Sequence, residues 1–259
     1  MRDGGLEQAI DKAGGVRALA RELGLSQPAV TNWKRVPAER VLEVEAATGV
    51  SRSALRPDLY PDEKTAAREL DEVDAARAAT YAMLGALLWR APAADLLATV
   101  GRLPGDASEL GITRLGLADA ARAVEAGDVE REFFDLFIGV GRGELLPYAS
   151  FYLSGFLHER PLARVREDFL ALGIEREDRV AEPEDHVAVL FDVMAGLIRG
   201  DFSAEGLDDE IFFTRHLKPW VARFFADLET ASAARFYRAV GAYGRLFVEI
   251  EAEAFALPA

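Results

Sequence analysis

His186 follows Asp185 directly, and Glu182, Pro183 and Glu184 stand just before the pair. A carboxylate beside an imidazole can orient the neutral ring or stabilise its charged form, the arrangement used in general-base chemistry. Hydrolysis by such a pair needs a nucleophile and an oxyanion site. No GxSxG run accompanies this pair, and the chain has no cysteine. The acids also suit a helix start: Pro183 fits a first turn, and Glu184 and Asp185 complement the positive end of the helix dipole. Capping accounts for the acids but not for His186, whose charged form is disfavoured at that end. A second constellation is Pro147-Tyr148-Ala149-Ser150-Phe151-Tyr152-Leu153, where three hydroxyls lie among apolar groups. That mixture suits a groove for an extended or helical peptide, or else ordinary core with its hydroxyls bonded. It follows Glu132-Phe133-Phe134-Asp135-Leu136-Phe137-Ile138-Gly139 and a loop containing Gly141 and Gly143. The loop is no phosphate cradle, since no Gly-Lys-Ser/Thr follows and no strand precedes it.

The elements that position these residues read as helices. Ala, Leu, Glu and Arg dominate, and β-branched alternation is scarce. Val187, Leu190, Phe191, Met194, Leu197 and Ile198 keep the helical period after His186. Tyr81, Leu84, Leu87 and Leu88 form one face of a helix ending near Trp89. Helices are expected over Asp95–Val100, Leu117–Ala126 and Glu130–Phe137. Pro147 is expected to start another, and Pro219 to separate the two around Phe213, His216, Leu217 and Trp220. Phe236–Ala254 reads as a final amphipathic helix. From Val73 onward seven or eight helices are expected.

Composition narrows the classes. Half of the 259 residues are apolar, enough for a packed core, and only three histidines occur, His158, His186 and His216. No metal-ligand spacing is present. The start has no apolar signal region and no stretch approaches ~18 uninterrupted apolar residues. A protein of the cytoplasm without a membrane span is expected. Charge is uneven: residues 1–60 hold 9 Lys+Arg against 8 Asp+Glu, and the remainder 21 against 36. The larger part therefore repels nucleic acid and attracts cationic peptides.

Pro57 and Pro61 break the helical pattern. We expect residues 1–60 to form one domain, 61–72 a linker and the start of the first long helix, with a charged helix from about Thr65, and 73–259 a larger helical domain. The first domain reads as helices over Leu6–Ala13, Val16–Leu23, Gln27–Lys34 and Ala38–Thr48. Gly24 suits a left-handed helix end and Ser26 the next N-cap. This is helix-turn-helix spacing. Residues 5–60, with Ser26-Gln27-Pro28-Ala29-Val30-Thr31-Asn32-Trp33-Lys34-Arg35 at their centre, resemble Cro-like and YdaS-like regulators. The resemblance implies that Gln27, Ala29, Thr31 and Asn32 face base edges. It implies that Lys34 and Arg35 hold phosphates, with Arg17 as a further contact. The near-zero charge of this segment weighs instead for a module kept for protein contacts.

Four motifs in order carry a second resemblance, over residues ~73–255. Leu136-Phe137-Ile138-Gly139 in its phenylalanine-rich helix, Pro147 to Leu153, Glu182 to His186, and Phe213…His216-Leu217…Trp220 resemble the signatures of the TorD/DmsD/NarJ chaperones. Val140 and Leu146 depart from the family, which usually has proline at both places. The resemblance implies an all-α protein, a helix-turn-helix domain joined to a TorD-like bundle, and no enzyme activity. It implies a cytoplasmic chaperone that binds the twin-arginine signal peptide and catalytic subunit of a molybdopterin oxidoreductase, such as formate dehydrogenase or a dimethyl sulfoxide or trimethylamine N-oxide reductase. On that reading Asp185 and Glu184 meet the arginines. Trp89, Leu136, Phe137, Tyr148 and Tyr152 line the apolar part, and His186 orients or gates the groove. Pro147, Ser150, Glu182 and Pro183 complete the expected site. Some members are suggested to bind a guanine nucleotide or molybdopterin, for which this sequence gives no separate support. The helix-turn-helix would couple client maturation to operator DNA, as monomer or homodimer. The alternative is a transcriptional regulator whose large domain senses a ligand or client.

Overall fold

A computed structural model describes residues 3–56, 59–60, 70–174 and 182–257. The chain separates into two units, Met1–Glu69 and Leu70–Ala259. Every regular element among the described residues is helical. The expected linker falls largely on 61–69, outside the described residues, as do Pro57, Pro61 and the expected helix start at Thr65.

In the first unit, Asp3 caps α1 (Gly4–Ala13) by accepting the Gly5 amide. Next come α2 (Val16–Glu22), α3 (Gln27–Thr31), a 3₁₀ turn over Ala38–Arg40, α4 (Val41–Thr48) and α5 (Arg52–Leu55). Gly24 takes φ 65° between α2 and α3, the left-handed conformation expected of it. Ser26 has the extended backbone of an N-cap, but its hydroxyl caps nothing. Helix α3 is shorter than expected: it ends at Thr31, so Lys34 and Arg35 lie on the loop beyond it. Leu6, Leu19, Val30, Val36, Val41, Val44 and Leu55 are fully buried and close the core, with Trp33 packed against it. Arg56 reaches into this core and donates to the Val36 carbonyl at 2.8 Å.

The second unit begins at α6 (Glu72–Trp89), capped by Asp71. It continues through α7 (Ala94–Val100), α8 (Glu109–Arg122) and α9 (Ala126–Phe133), which runs into a π-helical turn over Phe134–Ile138. Then come α10 (Ala149–Ser154), α11 (Arg160–Ala171), α12 (Val187–Arg199), α13 (Asp209–His216), α14 (Val221–Thr230) and α15 (Phe236–Ala254). The ten helices from α6 to α15 exceed the seven or eight expected, and α11 is the one that no expected span covers.

The apolar helix α12 is the centre of this unit. Nine of its thirteen residues are buried, and it packs along α6. A helix apolar nearly all round belongs inside. Gly85 permits the close approach: a Cβ there would meet the Ala188 carbonyl at 3.2 Å. Removing a side chain such as Phe191 from this contact costs about 3–5 kcal/mol. On α6 the expected face, Tyr81, Leu84, Leu87 and Leu88, is buried. Helix α15 lies against α14, where Gly244 leaves room for the Phe225 ring.

Two polar knots fasten α15. The Arg77 guanidinium bonds Asp74, Asp209 and Glu251 at 2.8 Å each, joining α6, α13 and α15. Tyr81 adds a hydroxyl to Glu251. At its other end, α15 has no cap of its own, and the buried Glu132 carboxylate accepts the amides of Arg235, Phe236 and Tyr237 at 2.7, 3.1 and 2.7 Å. A carboxylate on three helix-start amides satisfies donors that would otherwise be orphaned.

Candidate functional site

The runs 147–153 and 182–186 meet through their backbones. Residues 147–150 and 183–187 pair as a short antiparallel bridge between Tyr148 and His186. The Val187 amide donates to the Pro147 carbonyl at 2.9 Å, and the Ala149 amide to the Asp185 carbonyl at 3.0 Å. Neither proline starts a helix. Pro147 precedes α10, whose N-cap is Tyr148, and Pro183 lies in the turn before α12. Both spend their carbonyls here, Pro147 on Val187 and Pro183 on His186.

His186 is itself the N-cap of α12, and its Nδ1 accepts the Ala188 amide at 3.1 Å. Only a ring nitrogen without a proton can accept that bond. Burial favours the same neutral form and pushes the ring down to about 4. The histidine that acid capping left unexplained is thus the cap. Its ring sits edge-on to Tyr148 at 5.1 Å and to Trp89 at 5.6 Å. The Tyr148 hydroxyl donates to Glu182. Burial first, and then Glu182, push that phenol above its usual value.

Asp185 differs from its expected role. It is fully buried, and Oδ2 accepts the Ser150 amide at 2.7 Å. It cannot meet an incoming arginine at the surface. It clamps the start of α10 to the turn before α12 instead. Its Oδ1 and the Ser150 hydroxyl are buried with no hydrogen-bond partner among the described residues.

Beside this junction lies a groove of about 660 Å³ between α6, α11 and α12. Ala82, Gly85, Ala86 and Ala188 make a floor of small residues, and Trp89, Phe169, Leu170 and Ile174 supply apolar walls. Trp89 is 38% exposed and Leu170 75% exposed. Glu182, Glu184 and Asp192 also line it, and Arg166 is the one base among the described lining residues. Of the expected peptide-binding residues, Trp89, Glu182 and Glu184 line the groove; Tyr148 and His186 touch its lining residues from behind; Pro147, Pro183, Asp185 and Ser150 form the support.

The remaining three lie elsewhere. Leu136 is core, fully buried. Phe137 packs on Phe133 at 5.0 Å and Tyr237 at 5.4 Å. The π turn directs both inward, which periodicity could not show. Gly139, at φ 62°, and Gly143 let the loop fold back on that turn, and the Leu145 amide donates to the Leu136 carbonyl. Tyr152 faces a second, more polar groove of about 440 Å³ with Asp227, Arg223 and Glu144. Its hydroxyl donates to Asp227 at 2.9 Å. So Tyr148 and Tyr152, four residues apart, serve different surfaces.

Sequence reading missed the wall helix α11 and Asp192. The signal for α11 was present: Pro161 sits in its first turn, and Leu162, Val165 and Phe169 follow the helical period. His216 fastens this helix. Its Nε2 lies 2.7 Å from Asp168 Oδ2, and Arg215 bonds the same carboxylate. Burial pulls the His216 ring down, opposed by Asp168.

On the first unit, Gln27, Thr31, Asn32, Lys34, Arg35 and Arg17 are exposed, and Ala29 is half-buried. The Thr31 hydroxyl donates to the Gln27 carbonyl at 2.8 Å.

Comparison with known proteins gives a match on each unit. The family described as "Nitrate reductase delta subunit" matches residues 104–226. The family described as "Bacterial toxin YdaS" matches residues 6–64. The chaperone protein TorD of Vibrio cholerae is 29% identical over 134 residues, 47% of this chain and 60% of that protein. TorD of Shewanella loihica is 27% identical over 174 residues, 62% of this chain and 76% of that protein. A solved structure of a proposed redox enzyme maturation protein from Archaeoglobus fulgidus aligns with a TM-score of 0.47 at 21% identity, over 66% of this chain and 93% of that one. The chain thus spans about 60% of the Vibrio cholerae relative that it matches. The resemblances read from the motifs hold on both units: a YdaS-like helical segment is joined to a TorD-like helical bundle, and the fold is all-α.

Proposed function

We propose that the large unit is a chaperone for the maturation of a molybdopterin oxidoreductase, and that the groove beside Trp89 receives the enzyme's twin-arginine leader. The observation that carries this reading is the lining of that groove: small apolar floor, aromatic and aliphatic walls, and, among the described residues, three carboxylates against one arginine. A leader with paired guanidinium groups and an apolar stretch has the complementary chemistry. The kinship with proteins named as TorD chaperones supports the same reading. The rim role passes from Asp185 to Glu182, Glu184 and Asp192, while Asp185 and His186 hold the rim in place. The client would be held in the cytoplasm until its cofactor is inserted, then released for export.

The test is capture of the tagged chain from its own cytoplasm, with partners identified by mass spectrometry. The expected result is enrichment of a twin-arginine molybdoenzyme precursor by wild type and its loss with Glu182→Gln/Glu184→Gln. Formate dehydrogenase and dimethyl sulfoxide or trimethylamine N-oxide reductase precursors are the candidate classes. Equal recovery of such precursors by both forms would remove the groove from the reading.

A second reading rests on the first unit, where Gln27, Thr31 and Asn32 are exposed on and just after α3. These side chains can bond base edges, and Lys34 and Arg35 phosphates. On this reading the chain regulates the genes of its client, and the occupied or empty chaperone unit sets the response. Fluorescence anisotropy on DNA upstream of the client genes, with and without leader peptide, checks it. Binding that is selective and weakens with salt is expected; no selective binding in either state removes the regulatory role.

A further inference from the structure

In the second groove, of about 440 Å³, the charged groups among the described lining residues divide in two. The acids are bonded. The Glu144 carboxylate accepts the Ser232 amide at 2.6 Å, the Ser232 hydroxyl at 2.9 Å and the Ala233 amide at 3.0 Å. Asp227 accepts the Tyr152 hydroxyl at 2.9 Å. Arg223, on α14, is not bonded. It makes no ion pair or hydrogen bond among the described residues and rests over the Tyr152 ring, 5.8 Å from the ring centroid. Arg142 repeats this on the neighbouring ring: it lies over Phe151 at 5.1 Å, again with no carboxylate partner among the described residues. The Phe151 and Tyr152 rings stand edge to face at 5.9 Å, and Trp220 and Phe224 pack on Tyr152 in turn. Two guanidinium groups are thus parked on adjoining rings of α10. A cation–π contact takes up none of the N–H donors with which a guanidinium binds a carboxylate.

We infer that this groove docks an acidic, apolar segment of a partner protein, whose carboxylates are taken by Arg142 and Arg223 and whose apolar side chain seats against Leu146 and Phe151. The complementarity lies in which groups are engaged. An arriving carboxylate finds two guanidiniums with no ion pair to break, whereas an arriving cation finds acids already bonded. A compact anion such as phosphate suits the place less, because Glu144 and Asp227 remain beside Arg223 and repel concentrated negative charge. Carboxylates spaced along a peptide avoid that repulsion. Phe156, next to the lining residue Gly155, is 70% exposed and extends the apolar part beyond the groove. The occupant is opposite in charge to the leader at the Trp89 groove, and loss of either site leaves the other intact.

The experiment uses the full chain and a labelled synthetic peptide with a leucine-phenylalanine-leucine core flanked by a pair of glutamates on each side, read by anisotropy. Arg142→Gln and Arg223→Gln are each expected to weaken binding about 3- to 5-fold, the scale of a partly exposed ion pair, and the double variant about tenfold. Added salt should weaken binding to wild type. A peptide whose core is serine and glycine, or whose glutamates are glutamines, should bind about tenfold more weakly. Thermal melts of the variants check that α10 and α14 keep their packing. Unchanged affinity in the folded double variant overturns the site, as does failure of wild type to bind the acidic peptide. Equal binding of the serine-glycine peptide reduces the surface to charge alone and overturns the apolar seat. Displacement by inorganic phosphate, at an ionic strength where chloride leaves the peptide bound, makes the occupant a phosphate group and overturns the peptide. An arginine-bearing apolar peptide, measured alongside, should bind the variants as it binds wild type. If the double variant weakens both peptides alike, the two grooves are not separate and the acidic site falls.

Discussion

The run from Glu132 to Gly143 and the run from Glu182 to His186 are equally conspicuous as sequence, yet they do opposite things with their polar groups. Glu132 turns inward and satisfies three amides of α15. Leu136 and Phe137 follow it into the interior, and the glycines close the loop on itself. In the second run Asp185 and His186 turn inward, while Glu182 and Glu184 reach a groove. A motif of acids and aromatics is thus no guide to which side of the surface it serves. What separates the two is whether the acid finds backbone donors nearby or faces a cleft.

The comparison makes the first run a stability element and the second a binding element. The largest test is Glu132→Ala, which leaves buried donors at the start of α15 without an acceptor. It should cost about 3–4 kcal/mol in urea unfolding, with peptide affinity unchanged in the molecules that remain folded. A variant that unfolds no more easily but loses the peptide would reverse the assignment.

Next is pH. His186 is held neutral, with its folded value near 4 and an ordinary value of 6.5. A depressed histidine contributes stability in full above its unfolded value, and that contribution disappears as pH falls through the folded one. The loss between about pH 6.5 and 4 should amount to about 3 kcal/mol. His186→Asn keeps a capping acceptor without titrating in this range. Its stability should therefore fall less steeply over the same window, with His216 contributing a residual slope in the same direction. Parallel pH profiles for wild type and variant would show that His186 is not held neutral in the folded chain.

A smaller effect sharpens the contrast from the other side. Glu184→Gln and Trp89→Ala should each weaken an arginine-bearing apolar peptide by about tenfold, about 1.4 kcal/mol, while Glu184→Gln leaves the melting temperature almost unchanged. The smallest is Tyr152→Phe, which loses one hydrogen bond to Asp227 in the other groove. It should cost about 1 kcal/mol of stability and leave peptide affinity alone. Loss of peptide binding in this variant would join the two grooves into one site.

How far the fold was legible depended on how local its causes are. The bounds of α15, the buried face of α6 and the left-handed Gly24 follow from period and turn chemistry within a few residues, and they appear where expected. The π turn did not, because Phe134 to Ile138 follow the same apolar pattern as an α-helix. Pro147 and Pro183 misled because proline suits both a first helical turn and the extended segment before one. The groove itself is the least local feature. Its floor comes from Ala82 and Ala188, more than a hundred residues apart, and only packing at Gly85 brings them together. The acids of the groove were visible as acids; which of them faced the cleft was decided by the bridge between Tyr148 and His186.

The polar fastening of α15 has a consequence for how the chain comes to be folded at all. Glu132 waits for amides just over a hundred residues further along, and Arg77 for Glu251, 174 positions away. Contacts at such separations form late, after the entropy of closing long loops has been overcome. During synthesis, then, the Glu132 carboxylate on α9 must leave the ribosome before its three amides exist, and Arg77 on α6 before Glu251 completes its set of partners. The YdaS-like unit, whose core is built from residues of its own short span, can be finished while the rest of the chain is still being translated.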